Sequence, residues 1–126
     1  MSTRCNIIIQ DEMERIQLYR HSDGYPDTEY GVLETLKDAL PLAWELPRME
    51  ASDFAAAIVA AWKNHGGNIY IDGIYRGKQH LHADIEYLYT IEPDKKAGKW
   101  KVTCKTAYIW DEVEPKFSAV STTHIG

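Results

Sequence analysis

The chain has 126 residues, of which 44% are hydrophobic and 26% charged. That balance suits one globular domain with its own core and excludes wholesale disorder. Fourteen Lys plus Arg against nineteen Asp plus Glu give a formal charge of −5, which opposes non-specific attachment to phosphate backbones or anionic membranes and suits solubility or a basic partner.

From the N-terminus, Cys5, Ile7 and Ile9 alternate with Asn6 and Gln10, and Ile16 and Leu18 alternate with Gln17 and Tyr19 beyond Asp11 to Glu14. Period-two runs either side of a polar turn predict a β-hairpin. The apolar run Ile7-Ile8-Ile9 is far shorter than an export signal needs. His21-Ser22-Asp23-Gly24-Tyr25-Pro26-Asp27 joins an Asp-Gly turn signal to a proline and predicts a loop.

Val32, Leu33, Leu36, Ala39 and Leu40 recur at helical spacing until Pro41 and Pro47. A second helix is expected around Phe54, Ile58 and Trp62, capped by Ser52 or Asp53 and stopped at Gly66-Gly67. Its apolar run from Phe54 to Trp62 is about half of the roughly 18 residues that a membrane span requires. The expectation is a cytoplasmic protein without membrane contact.

Strands are expected at Asn68 to Asp72, from near His80 to Ile91, and from Trp100 to Trp110 after an Asp94 to Gly98 turn. In the last, Trp100, Val102, Cys104, Tyr108 and Trp110 share one parity and Lys101, Thr103 and Lys105 the other, predicting a sheet with a core face and a wet face. The order ββααβββ predicts a two-layer α+β fold: an antiparallel sheet of about five strands with two helices on one face. Residues 1–110 form the single domain of this reading, and 111–126 a C-terminal extension packed on the same domain or on a partner.

Ser2-Thr3-Arg4-Cys5-Asn6-Ile7 and Tyr19-Arg20-His21-Ser22-Asp23-Gly24-Tyr25-Pro26 together resemble a group of small uncharacterised proteins encoded by phages and prophages. Looser similarity runs through Gly67 to Asp72 and His82 to Tyr87. The resemblance implies a setting, that of accessory proteins that bind and redirect a host or defence protein, and it supplies no catalytic residues.

Three clusters invite a chemical reading. His80, His82, Asp84 and Glu86 would share one face of a strand, but two imidazoles at i, i+2 need a third ligand from elsewhere, and His80 and Asp84 would lie ~13 Å apart on a straight strand. An exposed polar face is the plainer reading, and no metal is expected. Lys95, Lys96, Lys99, Lys101 and Lys105 accompany Trp100 and Tyr108, yet opposite parity separates the lysines from the aromatics. A nucleic-acid platform is therefore not expected, and lysines on an exposed or edge strand serve to block sheet association.

The third cluster is the loop after the hairpin. His, Ser and Asp adjacent on one loop cannot take the three positions of a catalytic triad, and no GxSxG elbow is present. A structural turn would have Asp23 capping local amides, Gly24 at positive φ and Tyr25-Pro26 packed on the sheet edge. A binding loop would use Arg20, His21, Asp23, Tyr25, Asp27 and Tyr30, with tyrosines as anchors. Cys5 and Cys104 follow the apolar parity of their strands and read as reduced core thiols.

The leading expectation is a non-enzymatic accessory protein that binds a protein partner, such as a basic nucleic-acid-handling host protein, without a cofactor; a homodimer stays open. The alternative is a small hydrolase or nucleotide-binding protein using His80, His82 and the His21 loop.

Overall fold

Alternating apolar side chains put β1 (Cys5–Gln10) and β2 (Arg15–Arg20) into an antiparallel hairpin, with Cys5 opposite Arg20 and Gln10 opposite Arg15. The computed structural model describes residues 3–26, 31–44, 48–64, 69–74, 85–107 and 117–126. After the hairpin come α1 (Val32–Ala39), a short 3-10 turn at Leu40–Leu42 and α2 (Ala51–Asn64). Four further strands follow: β3 (Ile69–Ile74), β4 (Tyr87–Asp94), β5 (Lys99–Ala107) and β6 (Phe117–Ile125).

The α+β class with two helices agrees with the sequence pattern, but the sheet differs in strand count and direction. Among the described residues it has six strands in the order β3-β2-β1-β4-β5-β6. It is also mixed, because β4 lies parallel to β1, with Cys5 beside Tyr87 and Ile9 beside Ile91. Alternation within one strand reports burial and carries no direction, so the antiparallel expectation rested on element order alone. The sixth strand occupies 117–125, in the stretch expected as a C-terminal extension, and pairs antiparallel with β5.

One face of the sheet packs on the helices. Cys5, Ile7 and Ile9 of β1, Ile16 and Leu18 of β2, Ile69 of β3, Tyr89 and Ile91 of β4, and Trp100 and Val102 of β5 join Val32, Leu36, Phe54, Ile58 and Trp62 in one core. Phe54 stacks on Trp100 with ring centroids 4.4 Å apart. The expected helix face is therefore the buried one, and the expected parity of β5 holds for Trp100, Val102 and Cys104; Tyr108 and Trp110 lie outside the described residues.

The opposite face is not simply wet. Ile8, Tyr19, Ile85 and Leu88 form a second buried cluster, and the amide side chains of Asn6 and Gln17 are fully buried on the same side. The Asn6 amide donates to Leu18 O at 3.0 Å, which satisfies a polar group that burial would otherwise penalise. β5 is also not an edge strand, since β6 flanks it, so its lysines do not guard a margin. Instead Lys101 faces Glu92 and Lys99 faces Asp94 across the β4–β5 pair, opposite charges of the kind that favour a register.

Both helices have their free N-terminal amides satisfied from a distance. For α1, Val32 N–H donates to Tyr25 O (2.7 Å) and Leu33 N–H to Pro26 O (3.3 Å). For α2 the acceptors lie in the β1–β2 turn: Asp11 Oδ2 accepts from Ala51 N–H (2.8 Å) and Glu14 Oε1 from Ser52 N–H (3.1 Å). Ser52 and Asp53, the expected caps, lie inside the helix, and the Asp53 carboxylate instead accepts from Trp44 N–H at 2.7 Å. A cap about forty residues away in sequence leaves no local signature.

Partial burial raises the Asp11 carboxyl, but the N–H groups of Ala51, Met13 and Glu14, helped by Lys95, outweigh it and hold the group below its ordinary value of 3.8. A depressed folded-state pKa gives stability that is present above the unfolded value and lost as pH falls through the folded one. Asp11→Ala should therefore cost about 1 kcal/mol at neutral pH, the usual value of an N-terminal cap. The gap to the parent protein in urea denaturation should narrow as pH drops below 3.8. Trp62→Ala, which empties the helix–sheet interface, should cost about 3–5 kcal/mol in the same measurement; an unchanged midpoint would contradict the packing described.

Candidate functional site

β2 ends at Arg20 and α1 begins at Val32; the chain between them carries the residues singled out from sequence. Arg20 belongs to the helix-facing side of β2, opposite Cys5, and is fully buried. Its guanidinium carbon lies 3.2 Å from the centroid of the Trp62 ring, a cation–π stack in a water-poor setting. Burial brings its pKa down to about 10, so the side chain stays charged at neutral pH. Beside it, burial pushes the Cys5 thiol up to about 12 even though Arg20 pulls the other way, and such a thiol is an inert core group. Arg20 is therefore a buried structural residue, not the surface-binding residue expected.

From His21 the chain turns out of the sheet and is fastened at four points. Gly24 N–H donates to Thr3 O (2.9 Å), and the buried Tyr89 hydroxyl donates to Gly24 O (2.6 Å). Tyr25 O and Pro26 O accept from the first turn of α1, as described above. The residue in the left-handed region is Asp23, at φ 58°, and not Gly24 as expected; aspartate tolerates that conformation better than most non-glycine residues. What requires glycine at 24 is space: a Cβ there would lie 2.9 Å from Thr3 O and 3.0 Å from Cys5 Cβ.

The fastening uses the backbone, and the side chains are left to the surface. Tyr25 is 41% exposed, with its ring 6.2 Å from that of Tyr87 on β4. Since β4 is an interior strand, Tyr25 packs over the sheet and not on its edge, as the turn reading had it. His21 is exposed, its Nδ1 accepting from Arg4 Nε at 3.3 Å, and its ring is 6.2 Å from Tyr19. Asp23 is half-buried, with its carboxylate 3.5 Å from the Ser22 hydroxyl. Asp27 and Tyr30 lie outside the described residues.

Two neighbours went unnoticed in the sequence. Arg4 approaches His21 from the start of β1, and Tyr70 on β3, 48% exposed, packs tilted against Tyr19 with ring centroids 5.2 Å apart. Parity could have found Tyr70, because it alternates with Ile69. Arg4 is brought in by pairing of β1 with β2, which puts residues 4 and 21 side by side just past the Cys5–Arg20 pair. At this end of the sheet the loop thus places Tyr25 beside Tyr87 on the helix-facing side and His21, with Arg4 from the start of the chain, beside Tyr19 on the opposite side.

The other end holds an open cleft of about 940 Å³ between the β1–β2 and β4–β5 turns. Asp11, Glu12, Glu14, Glu50, Glu92 and Asp94 line it against Lys95, Lys96 and Lys101, so acidic groups outnumber basic ones, and Asp11 and Glu14 already cap α2. Of the strand cluster read as a metal candidate, His80, His82 and Asp84 lie outside the described residues; Glu86 precedes β4 and donates its N–H to Arg4 O at 2.8 Å. Among the described residues no group of three or more His, Cys, Asp or Glu is disposed to hold a metal ion, and no helix is long and apolar enough to cross a membrane.

Compared with protein-family models, with curated proteins and with solved structures, the chain matches none.

The buried Tyr89 hydroxyl holds the loop backbone at Gly24, so Tyr89→Phe should cost about 1 kcal/mol, the net value of a buried neutral hydrogen bond. Hydrogen exchange should show faster opening at Gly24 in that variant, with β1 and β5 unaffected.

Proposed function

We propose that this protein acts by binding a macromolecular partner, as a cytoplasmic accessory protein of the phage or prophage type that modulates a host or defence protein. The observation that carries this reading is the pairing of rigidity with exposure at residues 21–26. Four backbone-directed hydrogen bonds fasten the loop, while Tyr25 and His21 stay on the surface. A loop ordered in advance loses little conformational entropy on binding, which is what makes an exposed aromatic side chain useful as an anchor. Tyrosine suits the task because a large ring and a polar tip turn on few bonds.

The charge of −5 favours a basic protein as the partner, such as one that handles nucleic acid, over direct contact with a phosphate backbone. Candidate binding residues are His21, Asp23, Tyr25, Asp27 and Tyr30, together with Arg4 and Tyr70. Arg20 supports the loop from below.

Tyr25→Ala removes the anchor without touching the backbone bonds. Capture of the bacterial partner on the immobilised variant should weaken about 30-fold, the loss expected for a hot-spot side chain, while stability changes by no more than about 0.5 kcal/mol. Asp27→Lys should weaken the same interaction in a salt-dependent way. Full partner recovery with both variants would remove the loop from the functional account.

A further inference from the structure

Trp44, Arg48 and Glu50 form a surface trio on the chain that leads into α2. The Arg48 guanidinium carbon lies 3.8 Å from the centroid of the Trp44 ring, and Arg48 Nε is 4.0 Å from Glu50 Oε1. A guanidinium can stack on an aromatic face and still donate sideways to a carboxylate, because its N–H groups lie in its own plane. The ammonium of lysine is a point charge on a flexible stem and has no such fork.

The 21–26 loop holds two parts of the same trio. Tyr25 is 41% exposed, and its ring tilts by 59° against that of Tyr87, 6.2 Å away. Tyr87 in turn stacks at 6.3 Å on the buried Tyr89, so the exposed ring rests on two others that belong to the helix-facing layer. Asp23 supplies a carboxylate. It is half-buried, with the Ser22 hydroxyl at 3.5 Å, and its charge reaches the buried Arg20 and favours the protonated guanidinium there. Residues 21–33 include Asp23, Asp27 and Glu29 but no Lys or Arg. Arg4 lies with His21 and Tyr19 on the opposite side of the sheet.

We infer that the loop takes an arginine side chain of its protein partner, with the guanidinium stacked on the Tyr25 ring and its N–H groups donated to Asp23. This rests on the reading of the loop as a binding surface and names the group that surface recognises. Charge favours the occupant: the chain carries −5, and residues 21–33 add three carboxylates and no basic group, so long-range attraction and local contact have the same sign. An acidic side chain or a phosphate would be repelled at the same place. The backbone bonds at Gly24, Tyr25 and Pro26 hold the loop before the cation arrives, so little conformational entropy is lost on stacking.

Hexa-arginine, hexalysine and hexacitrulline peptides are the probes, titrated into isotope-labelled protein at physiological salt and read by amide chemical shifts. The arginine peptide should move the signals of Gly24 and Tyr25. Hexalysine should bind about threefold more weakly, and the citrulline peptide, which keeps the planar shape without the charge, should not bind. Tyr25→Ala should weaken the arginine peptide about fivefold, the scale of one cation–π contact at a surface. Tyr25→Phe should bind it as the parent does, because the ring face carries the contact. Asp23→Asn, which tolerates the left-handed backbone equally well, should weaken it about threefold.

Signals that move only elsewhere, equal binding of the lysine or citrulline peptide, or undiminished binding by the folded Tyr25→Ala variant would each overturn the inference. Capture of the bacterial partner separates it from the reading beneath. If Tyr25→Ala loses the partner while Gly24 and Tyr25 of the parent ignore the arginine peptide, the loop remains the binding surface and the arginine contact is overturned. Full recovery of the partner by Tyr25→Ala would overturn both.

Discussion

Burying a guanidinium beside a sheet is expensive unless its charge meets compensating partners, and Arg20 meets the face of Trp62 at 3.2 Å. This stack sits where three parts of the molecule converge. Arg20 is the last residue of β2, Trp62 lies in the last turn of α2, and Cys5 opposite Arg20 opens the central strand. A cation near a helix C-terminus also meets the negative end of the helix dipole. The contact therefore fixes the height of α2 above the sheet and the point at which the chain leaves β2 to become the surface loop.

A second constraint acts at the other ends of the helices. α1 begins without a side-chain cap of its own and takes backbone carbonyls from Tyr25 and Pro26, while α2 takes carboxylates from Asp11 and Glu14. Each donation ties a turn of the sheet layer to the helix layer, but the two turns are spent differently. In the β1–β2 turn the acidic side chains themselves are committed to the helix. In the 21–26 loop it is the backbone that is committed, which leaves His21 and Tyr25 for contact with something else.

The two sheet faces extend this division. The helix face holds the main core, while the opposite face buries Ile8, Tyr19, Ile85 and Leu88 with Asn6 and Gln17. That second cluster supports Tyr70 and His21 through Tyr19. The aromatic surface at this end of the sheet thus rests on packed side chains on both sides of β2, a firmer base than a loop standing alone.

Local pattern by itself determined the α+β class, the hairpin, both helices with their buried faces, and which residues of β1, β2 and β5 face the helices, because alternation and helical spacing report burial within a single element. Tertiary structure decided what depends on partners distant in sequence. It set β4 parallel to β1 and put β6 at the margin. It moved the cap of α2 from Ser52 or Asp53 to Asp11 and Glu14. It also took Arg20 out of the surface group and brought Arg4 and Tyr70 into it. A charged residue at the end of an amphipathic strand looks exposed in one dimension; the arrival of Trp62 over it, from a helix some forty residues on, offsets the cost of burying it.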